Sequence, residues 1–158
     1  MISIATLKDE YLIDENLEDK FLLSNIKKCQ DFIIREILGE DKFNQLISAI
    51  DAGSVSDSDN KLIREYIQPV IAYYVMSEVI YTTAYKFKNS PVETGKFDEL
   101  IKVSNKYRHD CDKYQELLKE YMCDNNIIVE NGNTYKTGLF LGGYKRNYDE
   151  RPWVYLKR

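Results

Sequence analysis

The chain has 158 residues, 44% of them hydrophobic and 30% charged, which fits one globular domain with at most an appendage and excludes wholesale disorder. Lys+Arg 22 against Asp+Glu 26 leaves a net charge of -4, a poor start for a protein whose main task is gripping nucleic acid. Cys29, Cys111 and Cys123 are odd in number and far apart, with no C-x-x-C among them. Neither a zinc knuckle nor a redox pair is indicated; reduced thiols on helix faces suit synthesis in the cytoplasm. The first ten residues lack the basic and apolar regions of a signal peptide.

Residues 1–16 read as an extended lead-in with one short turn about Leu7 to Leu12. The first helix begins near Glu18 and runs to Leu38. Its apolar positions Phe21, Leu22, Ile26, Cys29, Phe32, Ile33 and Ile37 recur at three- and four-residue steps, and Gly39 closes it as a C′ glycine. A shorter helix over about 41–52 places Phe43, Leu46, Ile47 and Ile50 on one face and ends at Gly53. Residues 54–59 form a polar loop and N-cap region. The next helix spans about 59–88, roughly 45 Å long if unbroken, with a kink or break expected at Pro69. After a loop at 89–95, a last helix over about 96–124 carries a stripe of Phe97, Leu100, Tyr107, Cys111, Tyr114, Leu118 and Tyr121.

Between Glu65 and Lys86 the only charged residue is Glu78, a length that could span a bilayer. Gln68, Pro69, Ser77, Thr82, Thr83 and five tyrosines argue against it, as does the roughly 2.5–3.5 kcal/mol needed to insert Glu78. No membrane association is expected. A helix apolar on nearly every face belongs at the centre of a bundle or is shared between subunits. The fold expected is therefore all-α, an antiparallel bundle of about four helices, with a C-terminal β-hairpin and extended arm.

The character of the chain changes after residue 124. Ile127 to Glu130 and Tyr135 to Thr137 flank Asn131-Gly132-Asn133, the chemistry of a hairpin turn. Residues 125–158 hold 6 basic and 3 acidic residues, whereas residues 1–124 hold 16 and 23. The two parts carry opposite charge, +3 and -7. Two units follow: a helical domain over 1–124, and a hairpin with a basic aromatic arm over 125–158. The arm's Tyr144, Lys145, Arg146, Tyr148, Arg151, Trp153, Tyr155, Lys157 and Arg158 interleave rings with positive charge. Such a segment suits single-stranded nucleic acid. Trp, Tyr and Arg are also the residues of protein–protein hot spots, and on an acidic protein docking to a protein partner is the better fit.

Other chemistry is thin. His109 is the only histidine, so a two-histidine metal site is impossible, and its charged flanks mark a surface residue. Asp57-x-Asp59-x-Lys61 fails as a calcium loop, with Leu62 in place of the glycine and Gln68 in place of the glutamate. Glu116, Glu120 and Asp124 could line a carboxylate face opposite Glu36 and Glu40, as in a helical metal-dependent phosphohydrolase. Lys113 and Lys119 among them favour a solvated, salt-bridged surface. Glu78 lies within one helical turn of Tyr74 and Tyr81, whose hydroxyls can satisfy a buried carboxylate. No catalytic residue, metal or cofactor is expected.

Three blocks resemble the head–tail connector (adaptor, head-completion) proteins of tailed phages, those of crAss-like and related Bacteroidetes phages in particular. The first is Asn16-Leu17-Glu18-Asp19-Lys20 with Ile26, Gln30, Ile34, Ile37-Leu38-Gly39, Phe43 and Leu46. The second is Tyr66-Ile67-Gln68-Pro69-Val70 with Ala72-Tyr73-Tyr74 and Glu78, and the third is Tyr121-Met122-Cys123-Asp124-Asn125. Together they cover roughly residues 6–125. The resemblance implies a non-enzymatic virion subunit that forms a ring, commonly twelve-fold, beneath the portal at the head–tail neck. Such a ring extends the DNA channel, passes DNA without specific binding, and docks adjacent tail or connector rings. Tyr66, Pro69, Tyr73, Tyr74, Glu78 and Tyr81 are then the candidate ring interface, and the aromatic arm the docking element. The competing reading is a small regulator whose basic tail binds nucleic acid, ahead of the phosphohydrolase.

Overall fold

The computed structural model describes residues 1–11, 17–88, 94–125 and 127, and these are all-α, with no strand among them. In chain order the helices are α1 (Ile4–Glu10), α2 (Asp19–Cys29), α3 (Arg35–Leu38), α4 (Glu40–Asp51), α5 (Asp57–Lys61), α6 (Gln68–Lys88) and α7 (Thr94–Asp124). Two π-helical stretches, Gln30–Ile34 and Leu62–Ile67, join α2 to α3 and α5 to α6. The chain therefore makes continuous rods over 19–38 and 57–88. The hairpin expected over 127–137 and the arm beyond it lie outside the described residues, Ile127 excepted.

Ile4–Glu10 is helical where the sequence suggests an extended lead-in. Ser3 caps α1 by accepting the Thr6 N–H at 3.0 Å, and this short helix drives Leu7 completely into the core. Lys8 then pairs with Asp19 at 2.9 Å, tying α1 to the first turn of α2.

The rod over 19–38 begins and ends where its periodicity predicts, but its apolar register shifts midway. The Arg35 N–H reaches the Gln30 carbonyl, five residues back, so the π stretch inserts one extra residue. Continued as an unbroken α-helix from buried Cys29, the rod would turn Glu36 towards the core. The extra residue instead delivers Ile34, Ile37 and Leu38 to the interior and leaves Glu36 in solvent. Phe32, expected in the buried stripe, is 72% exposed as a result, and Ile33 is only half-buried. This corrects the stripe read from the sequence.

Gly39 makes the corner between α3 and α4 with φ 76° and ψ 159°. Arg35 braces that corner. Its guanidinium stacks over the Phe43 ring at 4.7 Å and reaches Asp31 and Glu40, each at 3.5 Å. Gly53, at φ 63°, ends α4.

Ser56 caps α5 by accepting the Asp59 N–H at 3.1 Å and donates its hydroxyl to the Asp59 carboxylate at 2.9 Å. Asp59 also takes a 2.6 Å ion pair from Lys42 of α4, with both side chains largely covered. Although burial pushes the Asp59 carboxyl up, the hydrogen bonds from Lys42 and Ser56 and the Lys42 charge hold it below its ordinary value of 3.8. A carboxyl depressed by folding stabilises above its unfolded pKa, and the contribution disappears as pH falls through the folded one. Asp59→Asn is therefore expected to cost about 1 kcal/mol at neutral pH, the scale of a partly covered pair and a cap. The variant should approach the unaltered chain as pH falls below the ordinary 3.8 and through the folded value. Urea midpoints at pH 7 and pH 2.5 check this; a constant gap would overturn it.

At Pro69 the sequence predicts a kink or break, and the helix does not break. Proline lacks the N–H and its ring crowds the carbonyl four residues back. The chain responds ahead of it, with the π stretch over Leu62–Ile67 in which the Gln68 N–H bonds the Ile63 carbonyl. Widening the turn accommodates the ring, and α6 continues to Lys88. Val70, Ile71, Ala72 and Val75 behind it are completely buried, so α6 is the central helix that its apolar composition indicates. Among the described residues no helix is long and apolar enough to cross a membrane.

Candidate functional site

The candidate interface residues lie along the seam where α6 meets α7. The two helices run antiparallel, because contacts descend α7 as they ascend α6. Tyr66 packs on Tyr121 with centroids 4.2 Å apart. The Cys111 thiol donates to the Val70 carbonyl at 3.5 Å, and the Tyr73 ring stacks on Tyr114 at 5.1 Å. The Ser104 hydroxyl donates to the Ser77 carbonyl at 2.9 Å, and Glu78 takes a 2.6 Å ion pair from Arg108. Buried Ser77 and Ser104 are small enough for the backbones to approach, so a side chain from one helix satisfies a carbonyl of the other.

Each residue proposed for the interface now has a place. Pro69 is buried at the start of α6. Tyr73 is the hub of a ring cluster: besides Tyr114 it meets Tyr107 at 6.1 Å and the edge of Tyr11 at 6.4 Å, so the C-terminal end of α1 joins the seam. Tyr74 is half-buried beside Glu78, and burial followed by the Glu78 charge pushes its hydroxyl up. The helix spacing offers Glu78 the hydroxyls of Tyr74 and Tyr81; the charged partner that the fold brings to it is Arg108, thirty residues away. Nothing in either helix's own spacing points to that pairing, because it depends on how α6 and α7 are slid against each other. Tyr81 is the one of the six that is substantially exposed, at 44%. Tyr66, Tyr73 and Glu78 thus hold the subunit together. The arm residues Tyr144 to Arg158 lie outside the described residues.

Elsewhere the surface is ordinary. His109 is exposed. Glu116 pairs with Lys119 at 2.8 Å, and Glu40 accepts from Arg35 and from Asn44. Asp57 lies in the first turn of α5, and Asp59 serves the Ser56 cap and Lys42. Among the described residues no group of three or more His, Cys, Asp and Glu side chains converges as a cation site. Large apolar side chains do reach solvent: Phe32 and, at 54%, Leu23 from the first rod, with Val103 and Leu117 from α7. Phe32 is the surface residue that sequence periodicity missed, since it depends on the one-residue insertion of the π stretch.

The thiols are separated by burial. Desolvation, reinforced by the neighbouring Cys111, pushes Cys29 far above its ordinary range, and desolvation pushes Cys111 up to about 11. Cys123 is only partly covered. A thiolate-directed reagent is expected to modify Cys123 in the native protein and to reach Cys29 and Cys111 only as the chain unfolds. Mass spectrometry of a timed labelling series reads the order; prompt modification of all three would contradict this packing.

A described family of unknown function, DUF6712, matches residues 34–136. The chain belongs to that family. The matched region of this DUF6712 member starts at the end of the first π stretch and takes in the Gly39 corner, the α5–α6 rod and all of α7. It contains the whole α6–α7 seam and continues past residue 125. No curated protein and no solved structure matches the chain.

Proposed function

We propose that this chain is a structural virion protein, the subunit of a ring that docks beneath the portal of a tailed phage, extends the DNA channel and joins capsid to tail. The observation that carries this reading is the occurrence in one chain of the Ile37-Leu38-Gly39 and Tyr66-Ile67-Gln68-Pro69 blocks that resemble connector proteins. Both fall at positions that set the subunit's shape, the α3–α4 corner and the entry to α6. Two physical features are compatible with such a role. A body carrying -7 over residues 1–124 repels DNA and so lets it slide. Exposed Phe32, Leu23, Leu117, Val103 and Tyr81 offer apolar surface that neighbouring subunits can cover.

In this proposal the long helices form an antiparallel bundle about α6. The segment over 125–158 adds a hairpin and an arm whose Tyr144, Arg146, Arg151 and Trp153 grip an adjacent subunit, the portal or the next tail ring. The role is architectural and non-enzymatic, exercised at the neck of the virion after synthesis in the host cytoplasm. Native mass spectrometry of the full chain, alone and with a portal protein from the same genome, tests the reading. A species of ring mass, commonly twelve copies in such assemblies, supports it; a monomer indifferent to the portal overturns it.

A further inference from the structure

We infer that adjacent copies of this chain dock head to tail, with Phe32 of one copy seated in the cavity beside Ile63 of the next and Glu36 of the first paired with Arg64 of the second. The inference rests on the ring reading and names the contact that closes it.

Each half of the contact is incomplete within a single copy. Phe32 stands 72% exposed, held outward by the π stretch. The cavity, about 480 Å³ and open to solvent, is lined by Met1, Ile50, Val55 and Ile63 and by polar Ser3, Asn60, Arg64 and Gln68. A dry cavity of about 150 Å³ already accepts benzene, so this one has room for a phenyl ring. Its chemistry suits the knob: apolar walls take the ring, and Arg64, which also lines the cavity, offers a guanidinium to a π face. The charges also match. Glu36 follows Phe32 by one turn, is exposed, and has no ion-pair partner among the described residues; the same holds for Arg64. Asp31, on the other side of Phe32, is already engaged by Arg35 at 3.5 Å, which leaves Glu36 as the acidic group available to Arg64.

A knob and a socket on different parts of one subunit give a heterologous contact. Repeated, such a contact gives a ring where its rotation divides a full turn and an open filament where it does not, whereas a two-fold dimer would need the same patch on both sides. The π stretch thereby gains a role. It removes Glu36 from the core and, in the same step, presents Phe32 and Glu36 together on the outside.

The test uses the full chain, with the portal protein present where assembly requires it, and follows self-association by native mass spectrometry and sedimentation velocity. Phe32→Ala should weaken association by about thirtyfold, the size of a hot-spot truncation, with unchanged circular dichroism. Glu36→Arg and Arg64→Glu should each weaken it, and their combination in one chain should recover most of the loss. An assembling chain in which Phe32→Ala changes nothing, or in which the two charge reversals add their losses, overturns this contact and leaves the ring standing. A chain that stays monomeric at every concentration, with and without the portal, removes the ring and this contact together.

Discussion

Ile71→Ala is expected to cost about 2–5 kcal/mol of folding stability and to lower the melting temperature on the order of 10 °C. Ile71 is completely buried near the start of α6, flanked by Val70 and Ala72, which are equally inaccessible. Three consecutive buried residues mean that this turn of α6 has no solvent side. Its neighbours cannot relax outward to fill the space of the lost atoms, so both the transfer free energy and the cavity are felt. Val103→Ala on the exposed face of α7 is the control, with an expected change within about 0.5 kcal/mol. Urea unfolding of the two variants decides the matter. A cost below about 1 kcal/mol at Ile71 would mean that α6 is not the centre of the core.

Gly39→Ala is expected to destabilise by about 1–3 kcal/mol, more than Gly53→Ala, although both glycines end helices. Gly39 combines φ 76° with ψ 159°, a region that is essentially closed to residues bearing a Cβ. It is also buried between the first rod and α4, whose relative direction it sets, and Arg35 reaches across it to Glu40 and Phe43. Gly53 sits at φ 63° with nothing within 4 Å of where a Cβ would stand, so an alanine there meets backbone strain alone, about 1 kcal/mol. The two variants, compared by chemical denaturation, separate a corner that the fold requires from a helix end that tolerates change. Equal costs would contradict the special geometry assigned to Gly39.

Much of the helix layout is legible from local signals. Gly39 and Gly53 announce helix ends because left-handed or extended positive-φ backbone excludes side chains. The polar stretch over 54–59 announces a start, and the structure makes Ser56 the cap, its hydroxyl serving the orphan N–H of Asp59. The stripe through Cys111 and Leu118 finds the buried face of α7, where both are inaccessible and Tyr107, Tyr114 and Tyr121 are half-buried. Periodicity fails in the first rod, and the failure is instructive. It assumes 3.6 residues per turn throughout, so a single inserted residue moves every downstream position by about 100°. That assumption places Phe32 and Ile33 inside, where the structure puts Ile34. The candidate interface was legible only in part: the tyrosines and Glu78 of α6 stand out by composition, whereas Arg108 carries no mark that it belongs with them.

The sequence by itself determined that the described residues are all-α, with helix ends at Leu38 and near residue 52, a central apolar helix through Val70 and Ile71, and a last helix closing at Asp124. These depend on the apolar repeat, the positive-φ glycines and the caps, all of which act over a few residues. Only the tertiary structure decided which carboxylate meets which cation, that Pro69 is absorbed by a widened turn without a break, and that Phe32 and Glu36 stand together in solvent. Those outcomes depend on how helices slide and rotate against one another. Small local costs, such as a π stretch, are accepted there because they bring many core side chains into contact at once.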